Sequence, residues 1–168
     1  RKFLYLANNR QEELVFLKKI IVENLKNNVN TLIIVPDILR GYEVYTKIKN
    51  ILNCSVCNIN SSIDNNEICD YYDNVLNNEY EVIITTPAYA LWPYVQLGCI
   101  IMMDQESRNY RNDQSPRYDL NLVMNKKSEL INSKIIYHSY APLLNTYTLA
   151  MLGNLTLLYT KVESNNKV

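Results

Sequence analysis

The chain has 168 residues, 17 basic and 17 acidic, and its formal charge is zero. That length fits one domain of ordinary size rather than two, and the balanced charge leaves no overall field to draw the chain onto nucleic acid or an anionic membrane. With no apolar run near the roughly 20 residues of a membrane-spanning helix and no charged-then-apolar leader, a soluble, cytoplasmic protein is expected.

The elements follow in chain order. "KFLYLA", 2–7, reads as a strand, and 11–27 places Leu14, Leu17, Ile21 and Leu25 on one helical face. "TLIIVP", 31–36, is a continuously apolar strand of the kind covered by helices on both sheet faces. Helical spacing resumes over 40–52 through Val44, Ile48 and Ile51, "CSVCNI" is a weaker strand, and Asp64 opens a helix over 64–78. The strands "EVIITTP" and "GCIIMMD" come next, then a helix from Tyr118 to Leu130, the strand "KIIYHSY", a helix after Pro142 ending at Gly153, and the short strand "LTLLYT". Strands alternating with helices imply right-handed crossovers and a mainly parallel sheet, hence a three-layer α/β fold in one domain over 1–168. The "ESNNKV" tail reads as a frayed terminus. The start at Arg1, without Met, reads as that of an excised piece of a longer protein.

Composition narrows the chemistry. Cys54, Cys57, Cys69 and Cys99 are too irregularly placed for a disulfide scaffold or a complete zinc site, and read as small core residues. Three glycines are few, since a phosphate-cradling loop alone spends about that many.

The strand ends carry an ordered set of motifs: Val35-Pro36-Asp37, Thr86-Pro87-Ala88, Pro93-Tyr94, Leu97-Gly98, the box Asp104-Gln105-Glu106-Ser107, then Asn109-Tyr110-Arg111, Pro116-Arg117-Tyr118, and His138-Ser139-Tyr140-Ala141-Pro142. This succession resembles the first RecA-like lobe of PriA, the primosomal replication-restart helicase of bacteria, a superfamily 2 enzyme. The resemblance implies a RecA-like P-loop-type domain with a second lobe elsewhere in the protein, DNA and primosome or replisome proteins as partners, and ATP with Mg²⁺ as the family's cofactors.

The nucleotide motifs depart from that family. Aligning "LVFLKKI" with the family's helix start puts Glu12 and Glu13 where a Walker A loop has its Lys and Ser/Thr, and Asn9 and Gln11 at glycine positions. A Walker A loop aims N–H groups and a lysine at phosphate oxygens. Two carboxylates would repel those oxygens, by roughly 4 kcal/mol per like-charge pair ~4 Å apart at intermediate dielectric. Asp104 could still hold Mg²⁺ through water, but Gln105 stands where the family has the carboxylate that polarises attacking water. Ser107 replaces His, and Tyr140-Ala141 replaces Ala-Thr. The chain is most similar to the stripped, actinobacterial-type branch of the family, and the resemblance implies a lobe without catalytic residues, no bound cofactor and a role in DNA binding and primosome assembly. The alternative is an active ATP-dependent 3'-5' DNA helicase with a diverged nucleotide loop.

Within 107–118, Arg108, Arg111 and Arg117 interleave with Tyr110 and Tyr118, a combination that holds single strands by phosphate pairing and base stacking. The competing reading is a solvated loop whose Pro116 and Tyr118 cap and pack the next helix. Tyr89, Trp92 and Tyr94 read as core under a loop, and His138, the one histidine, as a locally satisfied residue at a strand end near the cleft. A different α/β module, binding a small molecule in the same crevice, is the third possibility.

Overall fold

The computed structural model describes residues 1–158. Strands β1 (Lys2–Leu6), β2 (Asn30–Ile34), β3 (Val56–Ile59), β4 (Val82–Thr85), β5 (Leu97–Met102), β8 (Lys134–Ser139) and β9 (Thr156–Leu158) form one sheet in the order β3-β4-β2-β5-β8-β1-β9. Every pairing in it is parallel. A two-stranded antiparallel ladder, β6 (Arg111–Asn112) with β7 (Tyr118–Asp119), stands apart from it.

Helices α1 (Arg10–Lys26) and α2 (Ile38–Ile51) cover one face, sealing Phe16, Leu17, Ile21, Val44 and Ile48 against the outward side chains of β1, β2 and β5. Helices α3 (Asn65–Leu76), α4 (Leu120–Leu130) and α5 (Leu144–Met151) cover the other through Val75, Leu120, Met124 and Ala150. The result is the expected three-layer α/β sandwich, and β2, buried along its whole length, is continuously apolar after its first two residues for that reason.

Helix ends explain how the chain manages with so few glycines. Asn9, Asp37, Asp64 and Asp119 cap α1, α2, α3 and α4 through their side chains. Asn28, Asn78 and Asn132 take the left-handed conformation just past α1, α3 and α4 (φ 53°, 61° and 53°), the position that glycine usually fills. One glycine is required sterically: a Cβ on Gly98 would meet Val29 Cγ2 at 2.2 Å.

The expected helix from Tyr118 starts at Leu120 instead, because Tyr118 and Asp119 pair in the ladder and Asp119 then caps α4, taking the N–H of Asn121 at 2.9 Å. The expected strand at 155–160 is described as far as Leu158. The remainder of it and the "ESNNKV" stretch lie outside the described residues. Cys57 and Cys99 are buried, Cys54 is half-buried and Cys69 exposed, all as free thiols, and burial pushes the Cys99 thiol up to about 12. No helix among the described residues is long and apolar enough to cross a membrane.

Candidate functional site

In parallel α/β sheets the ligand crevice lies beyond the carboxyl ends of the strands. Here that region gathers residues from β1, β5 and β8, which are neighbours in register: Leu6 lies beside Ser139, and Met102 beside Tyr137. The ring of Tyr5 stacks on Phe16 at 3.7 Å between centroids, which seats α1 on β1 and turns Glu13, one turn earlier, into the crevice.

Glu13 is 1 % exposed. Its Oε2 accepts from Arg40 Nη2 at 2.5 Å, from Arg10 Nη1 at 3.3 Å and from the Tyr140 hydroxyl, and His138 Nε2 lies 2.9 Å away. Arg40 uses its other two nitrogens as well, Nε on Asp104 Oδ2 at 2.8 Å and Nη1 on Glu43 Oε2 at 3.0 Å. One buried guanidinium therefore joins three carboxylates. The backbone N–H of Asp104 donates to His138 Nδ1 at 3.2 Å, which leaves the imidazole proton on Nε2, the side facing Glu13.

The electrostatics follow from these contacts. Burial alone would lift the Glu13 carboxyl, but the close His138 Nε2 and the hydrogen bonds from Arg40 and Tyr140 outweigh it and hold that group well below the usual carboxylate range. Burial opposes the charge on Arg40 in the same way, and its bonds to Glu13 and Asp104 reverse the effect and raise it. The Tyr140 phenol is raised, first by burial and then by Glu13.

The start of α1 is engaged too. Asn9 Oδ1 accepts the N–H groups of Gln11 at 3.0 Å and Glu12 at 2.9 Å, two of the free amides with which a helix start takes a phosphate. Glu12 stays outside the cluster and folds back on Asn8, accepting from Nδ2 at 2.9 Å. The expectation of two carboxylates repelling phosphate is thus corrected. One carboxylate enters the crevice, and its charge is taken up by Arg40.

Glu13, Asp104 and His138 bring one ligand atom each to within 4.8 Å of the others, a spacing that could hold a cation. Arg40 already bonds both carboxylates, and a metal would have to displace a buried guanidinium. These residues do not fit a Mg-nucleotide. Asp104, expected as a weak metal ligand, serves as an Arg40 partner in a left-handed backbone conformation (φ 49°), which Asp tolerates better than most residues.

The rest of the box points elsewhere. Gln105 is buried on the α4 side, where its Oε1 accepts from the Thr146 hydroxyl at 3.3 Å. Glu106 is half-buried, and Ser107 Oγ accepts the N–H of Asn109 at 3.3 Å, closing a short turn.

The loop 107–118 separates into two parts. Arg108, Arg111, Arg117 and Tyr118 are exposed. Tyr110 is 1 % exposed, with its hydroxyl 3.0 Å from the Ile34 carbonyl and 2.5 Å from that of Met103. The expectation that Tyr110 stacks on a base is corrected: its ring is core, and it pins the ladder to the sheet. Arg111 Nε lies 3.8 Å from Asp119, and Arg117 Nε donates to the Asp113 carbonyl at 3.1 Å. Tyr94 is buried beneath its loop, while Tyr89 and Trp92, edge to face at 5.2 Å, pack partly buried against the same core.

Sequence reasoning missed Arg40 and left His138 without partners. The signal for Arg40 was indirect: carboxylates in a dry crevice need a cation, and Arg40 is the first cation of the helix that follows "VPD".

No protein-family model matches the chain. It is similar to the replication restart protein PriA of Buchnera aphidicola, 27% identical over 86% of this chain, and to that of Bacillus subtilis, 23% identical over 86% of it. The chain spans about a fifth of the length of those relatives, 20% and 18%. Among solved structures it shares its fold with the C-terminal domain of Dbp5 from S. cerevisiae (TM-score 0.62, 10% identity, 95% of this chain and 89% of that one). Domain 2 of the DEAD-box helicase Mss116p bound to an RNA duplex (0.64, 11%, 96% and 64%) and the Pyrococcus furiosus Hef helicase domain (0.57, 12%, 82% and 28%) have the same fold. The chain is a three-layer RecA-like domain, similar over most of its length to a helicase lobe of PriA.

Proposed function

We propose that this chain is the first RecA-like lobe of a PriA-like replication-restart protein, one that has given up ATP turnover and acts in DNA binding and primosome assembly. The observation that carries the reading is the Glu13–Arg40 pair. A carboxylate occupies the phosphate cradle, a guanidinium is committed to it, and Asn9 takes two of the amides beside it. An active 3'-5' helicase would have to break this buried network before each nucleotide could bind, at a cost of several kcal/mol.

Under this reading the exposed Arg111 of the β6–β7 ladder and Arg108 and Arg117 beside it supply the DNA contact, with Tyr118 as a stacking surface. Asp113 and Asp119 lie among them and dilute the positive charge, so one lobe binds weakly and the longer protein adds the rest. Single-stranded or forked DNA and the primosome or replisome proteins are the partners, in the cytoplasm, with no resident cofactor.

The test is a fluorescence anisotropy titration of a labelled single-stranded oligonucleotide with and without Mg-ATP, with phosphate release followed in the same sample. The expected result is salt-dependent binding that nucleotide does not alter, and no phosphate release. DNA-stimulated phosphate release would overturn the reading.

A further inference from the structure

Charge is unevenly spread along this neutral chain. Residues 50–107 contain eight acidic residues and no lysine or arginine. Six of the eight, Asp64, Glu67, Asp70, Asp73, Glu79 and Glu81, lie exposed on α3 and the segments flanking it, on the sheet face opposite α1 and α2. Among the described residues none of the six has an ion-pair partner, whereas Glu13, Glu23, Glu43, Asp104, Asp119 and Glu129 all do. This arrangement costs the fold something. Glu67, Asp70 and Asp73 follow one another at i, i+3, where like charges on a helix repel. Asp73 stands in the last turn of α3, with no basic residue in that turn, where the helix dipole disfavours a carboxylate.

The same face is apolar at its centre. Tyr72 and Leu76 lie one turn apart on α3 and are both exposed. The Tyr72 ring meets Trp92 edge to face at 5.0 Å between centroids, which joins the pair to the loop after β4, and Leu91 beside Trp92 is 54 % exposed. Lys127 reaches this loop from α4, but its ammonium is committed to the Trp92 carbonyl at 2.9 Å and to the Tyr94 ring. An apolar centre with aromatic anchors inside a charged rim has the anatomy of a docking surface, in which the anchors give affinity and the rim selects the sign of the partner.

The charge says what kind of partner fits. An acidic face repels a nucleic-acid strand or an anionic membrane and attracts a basic segment. Carboxylates three residues apart recur about every 4.5 Å along the α3 axis. Lysines or arginines at i, i+3 or i+4 of a second helix laid alongside match that spacing, and leucines on its inner side cover Tyr72, Leu76 and Leu91.

We propose that the α3 face docks a basic amphipathic helix of a partner protein, with Tyr72, Leu76, Leu91 and Trp92 as the apolar contact and Asp70 and Asp73 as the charged one. The proposal needs neither the DNA-binding reading nor the loss of ATP turnover, and its test contains no nucleic acid and no nucleotide.

The probe is a tryptophan-free peptide of about 14 residues, lysine and leucine at amphipathic helical spacing, titrated into the full chain while the emission of Trp92, its single tryptophan, is followed. Saturable micromolar binding with a blue shift of Trp92 is expected, weakening several-fold between 50 and 300 mM salt. No Trp92 response, or equal binding of the same peptide with glutamate for lysine, overturns the proposal. Asp70→Asn with Asp73→Asn should weaken binding about tenfold, and Leu76→Ser with Leu91→Ser should remove it. Glu12→Gln with Glu129→Gln changes the net charge equally at exposed sites away from α3 and should bind as the wild type does. Equal weakening by that pair would reduce the attraction to net charge and overturn the site. The urea midpoint of Asp70→Asn with Asp73→Asn should stay level or rise, since like charges are removed. A clear drop would make these carboxylates part of the fold and overturn the docking role. Sedimentation of the chain alone should show a monomer. A dimer lost in Leu76→Ser with Leu91→Ser would give the surface to a second copy and overturn the basic partner.

Discussion

The Arg40 guanidinium lies 2.5 Å from the Glu13 carboxylate, with 5 % and 2 % of the two side chains exposed, and the residues are 27 positions apart on different helices. A pair this dry stabilises the fold little relative to a well-packed apolar pair, and without Glu13 the guanidinium keeps Asp104 and Glu43 but loses its most buried partner. Glu13→Ala should therefore destabilise the chain in urea unfolding, by less than the ~3–5 kcal/mol of a wholly unpaired buried charge. Glu13→Leu with Arg40→Met should cost clearly less than the sum of the single changes. Additive losses would mean that the two residues act separately.

Acid should unfold the chain partly through Glu13. Its folded-state pKa lies far below the unfolded value of roughly 4.3, so the unfolded chain binds the extra proton. The stability contributed is fully present above that value and is lost as pH falls toward the folded pKa. Urea midpoints measured from pH 7 to pH 3 should drop below about pH 5, and Glu13→Gln should flatten part of that drop. Parallel curves for the two proteins would contradict the assignment.

Tyr110 and Tyr118 should separate stability from binding. Tyr110→Phe removes the hydroxyl that reaches the Ile34 and Met103 carbonyls and should cost about 1 kcal/mol or more of stability. Its affinity for single strands should hold. Tyr118→Ala, at an exposed ladder position, should leave the unfolding midpoint unchanged and weaken oligonucleotide binding. The opposite pattern would return the DNA contact to Tyr110.

Gly98 fills a place where no side chain fits, with Val29 Cβ only 2.8 Å from the position of a Cβ. Gly98→Ala should destabilise by about 1–3 kcal/mol through displacement of Val29. Pairing it with Val29→Ala should recover much of the loss in a thermal melt.

The layers of the fold are legible in the sequence because burial on both sheet faces demands unbroken apolar runs, and "LIIV" and "CIIMM" supply them where β2 and β5 form. Capping is legible for a local reason at Asp64, which acts on an amide two residues ahead, whereas Asn9, read as a glycine position of a phosphate loop, turns out to cap α1. The crevice is less so. The resemblance places Glu13 there together with Glu12, but the partner of Glu13 comes from another helix and the pairing depends on how α1 and α2 cross the sheet. Tyr110 was misplaced because a tyrosine has an apolar ring and a polar tip, and its sequence neighbours Arg108 and Arg111 suggested a wet loop.

The most direct measurement is a calorimetric titration of Mg-ATP, and of Mg-ADP beside it, into the purified chain at moderate salt. A crevice filled by Glu13 and Arg40 predicts no binding heat up to millimolar nucleotide. Micromolar binding of either nucleotide would contradict it.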